Sequence, residues 1–270
     1  MRRQSRSASN NASRDADLVG VFHSACTDAG RRATGYFVVE GGPLVCRAVE
    51  DQQPVEAVLY QREFAAEAAG GEALDAARAR GIRVEQVSAT VMGRAAPGPR
   101  LPLAAALVRF DRPKLEELLA AAPTILVLLD GVANPDNLGL LLRTAEGAGA
   151  DGVVLLEGSA DPFSRRAVRA ARGAVGRLPM AFAEGQEAIG KLRSHDYVVI
   201  ATSAHADQLL PELDLRSPVA LVVGSEGVGV RQGLKSAADV VARLPMYGRQ
   251  SSHNVAVATG ILLHEVRGRV

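Results

Sequence analysis

Three apolar runs, Ile125-Leu-Val-Leu-Leu-Asp130, Gly152-Val-Val-Leu-Leu-Glu157 and Pro218-Val-Ala-Leu-Val-Val-Gly224, constrain this chain more than any other feature. A strand with one face in water alternates apolar and polar residues. These runs do not alternate, so both faces of the sheet they form must be covered. Helical spacing separates them, over Asn137 to Gly147, Ser164 to Ala171 and Glu184 to Leu192. Further strands are expected near Met180, over Asp196 to Thr202 and ending near Met246, with a short helix from Val230 and a last helix from Ser252. Strands alternating with helices predict a parallel, doubly wound α/β sheet.

The first hundred residues carry a second, smaller α/β pattern. Gly35 to Glu40, Val55 to Tyr60, Ile82 to Val87 and Ala104 to Phe110 read as strands, and Gly41 to Glu50 and Arg62 to Arg80 as helices. The Pro/Gly-rich stretch Gly93 to Pro102 is expected to be an internal loop. Asp111 to Ala120 is expected to be a connecting helix capped by Asp111. The expected organisation is therefore a basic arm over 1–15, a first domain over 16–110, a linker helix over 111–123 and a second domain over 124–270.

Composition excludes several classes. No apolar run approaches the ~20 residues of a membrane span, so a soluble protein is expected. The arm, with four arginines and no acid up to Arg14, lacks the apolar core of a secretory signal and reads as disordered. Two cysteines, Cys26 and Cys46, without CxxC or HxxxH spacing, predict neither a disulfide scaffold nor a metal site and fit a reducing cytoplasm. Net charge is only +1 (31 basic, 30 acidic), so a polyanion must be met by a local patch. Pro162 to Ala183 contains no acid, while Arg165, Arg169 and Arg172 fall at i, i+4 and i+7 with Arg166 and Arg177 nearby. An isolated cluster of this kind is usually a solvated helix face. Five cations in an otherwise balanced protein point instead to phosphate contacts.

The ends of the apolar runs carry the chemistry. Asn134-Pro-Asp-Asn-Leu-Gly-Leu-Leu-Leu-Arg143, Leu221-Val-Val-Gly-Ser-Glu-Gly-Val-Gly229 and Leu244-Pro-Met-Tyr-Gly-Arg-Gln-Ser-Ser-His-Asn-Val-Ala-Val-Ala258 each place Gly, Ser or Asn between a strand and a helix. Turns of that kind leave main-chain groups free for a ligand. The triplet, in this order, resembles the signature motifs of the SpoU (TrmH-like) branch of the SPOUT superfamily, over residues 125 to 265. The resemblance implies a trefoil-knotted domain that transfers a methyl group from S-adenosyl-L-methionine to a ribose 2′-oxygen of rRNA or tRNA. It also implies a homodimer packed through the last helix, here by Val255, Ala258, Ile261 and Leu262. Arg32 followed by Gly35-Tyr-Phe-Val-Val-Glu-Gly41 resembles the start of the L30e-like substrate-binding domain that many SpoU enzymes carry.

Residue by residue, the resemblance implies that Asn137, Arg143, Glu226, Ser252 and Asn254 carry catalysis. It implies a cofactor held by Val223, Gly224, Gly227, Gly229 and Gly248, with walls from Leu244, Met246, Val255 and Ala258 and a contact from Ser252. RNA falls to Arg143, Arg165, Arg166, Arg169 and Arg172. For Arg143 the family offers two roles, general base or phosphate anchor. Deprotonating a guanidinium near neutral pH costs about 9 kcal/mol, which favours the anchor. The plain alternatives are an ion pair of Arg143 with Glu146, helix capping by Asn137, Ser252 and Asn254, and core packing for the apolar residues.

Three residues depart from the family pattern: His253 replaces a leucine, Ala256 a serine, and Ala171 the serine of an Arg-Ala-Ser-x-Gly-like segment. A dinucleotide enzyme is disfavoured, since Gly224, Gly227 and Gly229 give GxxGxG where the phosphate turn needs GxGxxG. No GK[ST] exists for a P-loop. A catalytically degenerate RNA-binding protein remains the alternative.

Overall fold

The structure, a computed structural model, describes residues 18–216, 218–249 and 253–270. The basic arm and Ser252 lie outside the described residues. The chain forms two units, one running to Asp111 together with Phe163–Arg165, the other comprising Arg112–Pro162 and Arg166–Val270.

The first unit contains α1 (residues 18–25), α2 (Asp28–Thr34), β1 (Tyr36–Glu40), α3 (Gly42–Glu50) and β2 (Val55–Tyr60). It continues with α4 (Arg62–Ala66), α5 (Ala68–Ala79), β3 (Arg83–Gln86), α6 (Ala89–Ala95) and β4 (Ala104–Arg109). The sheet order is β1-β4-β2-β3, with β4 antiparallel to β1 and β2, and β2 parallel to β3. Leu18, Phe22 and Ala25 of α1 join Met92 and Ala95 of α6 over Val38, Leu59 and Leu107, while α3 packs against β1, β4 and α5. Phe163 belongs to this core, its ring 5.3 Å from that of Phe37 and stacked at 4.1 Å on Phe110.

Three local expectations need correction here. The helix expected over Arg62 to Arg80 is broken by the extended Glu67, and Gly70 then passes so near Phe64 that an added Cβ would lie 2.0 Å from its carbonyl oxygen. The expected loop from Gly93 begins inside α6, whose start is capped by Ser88, Oγ accepting the Val91 N–H at 3.4 Å. The connecting helix does not reach back to Asp111. It is α7 (Leu115–Leu119), where the Lys114 N–H donates to Glu117 Oε1 at 2.9 Å. Pro113, lacking an N–H, precedes it with its carbonyl accepting from Phe182.

The second unit opens with that helix and runs β5 (Ile125–Asp130), α8 (Pro135–Gly147), β6 (Gly152–Leu156), α9 (Arg165–Ala171), β7 (Met180–Ala183) and α10 (Gly185–Ser194). Then follow β8 (Val198–Thr202), β9 (Gln208–Leu209), β10 (Val219–Gly224), α11 (Gln232–Ala237), β11 (Val240–Arg243) and α12 (Val255–Arg267). The sheet is parallel throughout, in the order β7-β6-β5-β10-β8-β11-β9. Its two faces are covered, as the apolar runs require. Leu115, Ile189, Leu192 and Leu234 close one side over Leu126, Leu128, Val154 and Val222. On the other, α8 lies on β6 and α12 on β10, and the two helices pack together.

Helix α8 starts at Pro135, two residues before Asn137. Its cap is Asn134, whose Oδ1 accepts the Asp136 N–H at 2.9 Å, with Pro135 at the first helical position. Asn137 is thereby released from capping. The last helix begins at Val255, three residues later than expected from Ser252.

Candidate active site at the ends of β8, β10 and β11

Strands β5 and β10 stop together, Gly224 being in register with Asp130. The chain then makes a tight turn in which the Gly229 N–H donates to the Ser225 carbonyl at 2.8 Å. Two glycines are obligatory there. A Cβ on Gly224 would lie 2.0 Å from the Gly229 carbonyl carbon, and Gly229 itself has φ +70°. The turn therefore presents bare main chain.

A cavity of about 320 Å³ opens beside this turn, at the lower end of the range for small-molecule sites. Of the expected cofactor residues, Val223, Gly224, Gly227 and Gly229 line it from β10 and its turn. Leu244 and Met246 line it from the segment after β11, and Val255 and Ala258 from α12. Gly248 is not among the lining residues. Glu226 and His253 also border the cavity. Asn254 joins its two halves: Oδ1 caps α12 by accepting the Ala256 N–H at 3.0 Å, and Nδ2 donates to Glu226. The capping and site roles of Asn254 thus coexist.

Sequence reasoning missed one wall. Thr202, Ser203, Ala204 and His205 line the cavity from the end of β8, with Lys235, Ala242, Arg243 and Leu262. Thr202 is tied to β10 by donating to the Val222 carbonyl at 2.9 Å, and Arg243 Nε donates to the Ala206 carbonyl at 2.8 Å. The available signal was that β8 ends in the small polar run Thr202-Ser-Ala-His205.

Asn137 and Arg143 do not line the cavity; both lie on α8. Arg143 is exposed and makes no ion pair among the described residues. The pairing with Glu146 weighed as its plain alternative is overturned. Glu146 is taken by Arg177, Nε to Oε1 at 2.6 Å and Nη2 to Oε2 at 3.0 Å.

The arginine cluster also differs from its sequence reading. Arg172 lies beyond α9, with φ +53°, so it does not continue the face of Arg165 and Arg169. Acids distant in sequence pair with two of the others: Arg165 with Glu40 within the first unit, and Arg166 with Asp136 within the second. The Arg166 contact holds the Asp136 carboxyl below its ordinary range. Arg166 and Arg169 remain solvent-exposed.

Among the described residues, no helix is long and apolar enough to cross a membrane, and no three His, Cys, Asp or Glu side chains gather as metal ligands.

The sequence profile of the SpoU rRNA Methylase family matches residues 124–264. The chain is 39% identical over 155 residues to the 23S rRNA (guanosine-2′-O-)-methyltransferase RlmB of Pseudomonas aeruginosa, covering 56% of this chain and 62% of that protein's length. It is 34% identical over 196 residues to RlmB of Xylella fastidiosa, covering 70% of this chain and 79% of that one. Among solved structures it is similar to the AdoMet-bound rRNA methyltransferase from Sinorhizobium meliloti, with TM-score 0.79, 29% identity, and coverage of 93% of this chain and 94% of that one. The profile covers more than half of the chain and contains all three strand-end loops: the protein belongs to the SpoU rRNA methylase family.

Proposed function

We propose that this protein transfers a methyl group from S-adenosyl-L-methionine to a ribose 2′-oxygen of rRNA, and that it works as a cytoplasmic enzyme. The observation that carries the reading is the glycine-edged cavity, bordered by Glu226, to which Asn254 is hydrogen-bonded, in a chain of this family. The cavity fits the cofactor chemically. Val223, Leu244, Met246, Val255 and Leu262 offer apolar walls for a nucleoside, and the Gly224 to Gly229 turn offers main-chain groups at its edge.

When bound, the cofactor supplies an electrophilic methyl group on a sulfonium. The chain's own work is alignment. Holding two reactants in attack geometry is worth roughly 7–11 kcal/mol of barrier, so a site without a strong base suffices. Glu226, at the border of the cavity, and Asn254, hydrogen-bonded to it, position the target nucleoside; Ser252 stands two residues before Asn254 and shares this role. Arg143 anchors a phosphate by its planar fork, and Asn137, on the same helix, assists it. Exposed Arg166, Arg169 and Arg172, with Arg165, extend the phosphate track.

The first unit selects the RNA as an L30e-like domain, and the second threads as a trefoil knot. The protein acts as a homodimer, keeping only Ile261 of the face expected from sequence. Val255 and Leu262 are 6% and 2% exposed, and Ala258 faces the cavity, so these three are spent within the protomer. Leu140, Val257 and Ile261, at 39%, 50% and 38%, are the exposed apolar side chains on the packed pair α8 and α12. Arg143, three residues beyond Leu140, stands at the edge of that patch.

The test is transfer of tritiated methyl groups from labelled cofactor to rRNA from a strain lacking the gene, followed by mapping of the modified ribose. Transfer to a 2′-oxygen is expected. Cofactor binding without transfer would favour the degenerate RNA-binding alternative.

A further inference from the structure

Asp130 is the only buried acidic residue among those described, 1% exposed at the end of β5, an interior strand of the sheet. Both its oxygens are used by one arginine. Oδ2 accepts the Arg231 main-chain N–H at 2.7 Å and Oδ1 accepts Arg231 Nε at 2.6 Å. The other end of the guanidinium, Nη2, meets Glu157 Oε1 at 2.8 Å, just past β6. Glu157 Oε2 in turn accepts the Gly185 N–H at 2.9 Å, at the start of α10.

The placement of this clamp is informative. Gly224 leaves the sheet in register with Asp130, and Arg231, seven residues later, is tied back to the same Asp130. Both ends of the intervening turn are thus anchored on one residue of β5. That turn contributes Ser225, Glu226, Gly227, Val228 and Gly229 to the cavity, whereas Asp130, Glu157 and Arg231 do not border it. The Glu157–Arg231 half of the clamp is also charged. Burial pushes the Glu157 carboxyl up, but its own main-chain N–H, Arg231 and the Gly185 N–H together outweigh burial and hold it below the usual carboxylate range. It therefore stays ionised at neutral pH and acts as a fixed brace, not a switch.

We infer that Asp130, Arg231 and Glu157 are positioning residues that hold the 225–229 turn in its cofactor-binding shape without touching the ligand. The inference rests on the proposed methyl-transfer function. A turn with two glycines in five residues has much conformational freedom to lose on binding, and a brace that removes this freedom in advance strengthens binding.

The test uses the full-length protein, S-adenosyl-L-methionine calorimetry, and steady-state kinetics with rRNA. Arg231→Met should weaken cofactor binding by about tenfold or more and raise the cofactor KM in parallel. The RNA KM should stay within about threefold, while kcat at saturating cofactor, which depends on Glu226 in the same turn, should fall by less than cofactor affinity does. Arg231→Lys, which keeps the charge but loses the fork, should recover part of the affinity. Unchanged cofactor affinity in a folded Arg231→Met protein would overturn the inference, as would equal damage to cofactor KM, RNA KM and kcat. If Arg231→Met does not fold, Glu157→Gln, at the exposed end, should still weaken the cofactor by about two- to fivefold, and no change would overturn the inference equally. A wild type that ignores the cofactor would overturn the function itself, a result distinct from either.

Discussion

A guanidinium left without a carboxylate on an exposed helix face is available to a polyanion, and Arg143 is in that position because Glu146 is occupied by Arg177. Arg143→Ala should therefore lower single-turnover transfer by at least about 100-fold, with cofactor affinity kept within about threefold. Loss of cofactor binding with RNA binding intact would reverse the assignment. His253 calls for a different argument. It borders the cavity with His205, Glu226, Lys235 and Arg243. His253→Leu removes a polar ring from that border and should shift cofactor affinity, read by calorimetry, by at least about threefold. Unchanged affinity would leave His253 as a replacement for leucine bulk.

At the scale of the element, close approach matters more than propensity. Helix α8 meets α9 at Gly139, where a Cβ would stand 2.3 Å from the Ala167 carbonyl oxygen and 2.7 Å from Ala170 Cβ. Gly139→Ala should cost about 1–3 kcal/mol, seen as a lower urea midpoint, because neither neighbour is a flexible side-chain end. An unshifted midpoint would mean that the helices separate freely. The elements legible in the sequence were those whose own residues decide them: β5, β6 and β10 are continuous apolar runs buried on both sides. The illegible ones depend on partners. Residues 18–25 contain Gly20 and two valines, poor helix formers, yet form α1 because Leu18, Phe22 and Ala25 bury one face. Strand β9, two residues long, exists only as a ladder on β11. The cap of α8 went to Asn134 and not Asn137 because Pro135 suits the first helical position.

The whole molecule decides what local reasoning cannot reach. The β10, β11 and α12 walls of the cavity were readable from strand-end motifs, but the Thr202–His205 wall enters only because β8 is the neighbour of both β10 and β11, an order no single segment encodes. Likewise the arginines after Pro162 look uncompensated in sequence, and the fold brings Glu40, Asp136 and Glu146 to Arg165, Arg166 and Arg177. The apolar face proposed for the dimer differs from the expected one for the same reason. A helix with apolar residues nearly all round must place some inside, and α12 gives Val255, Leu262, Leu263 and Val266 to the core, leaving Val257 and Ile261 outside, with Leu140 on the adjoining α8. Exposed apolar side chains on paired helices suit an isologous contact, in which the same patch serves both copies. The wild type should sediment as a dimer at roughly 10 μM, and Ile261→Asp, placing a charge in that contact, should yield a folded monomer. A wild-type monomer at that concentration would remove the dimer from the proposed function, and a dimer that survives Ile261→Asp would place the contact elsewhere on the molecule.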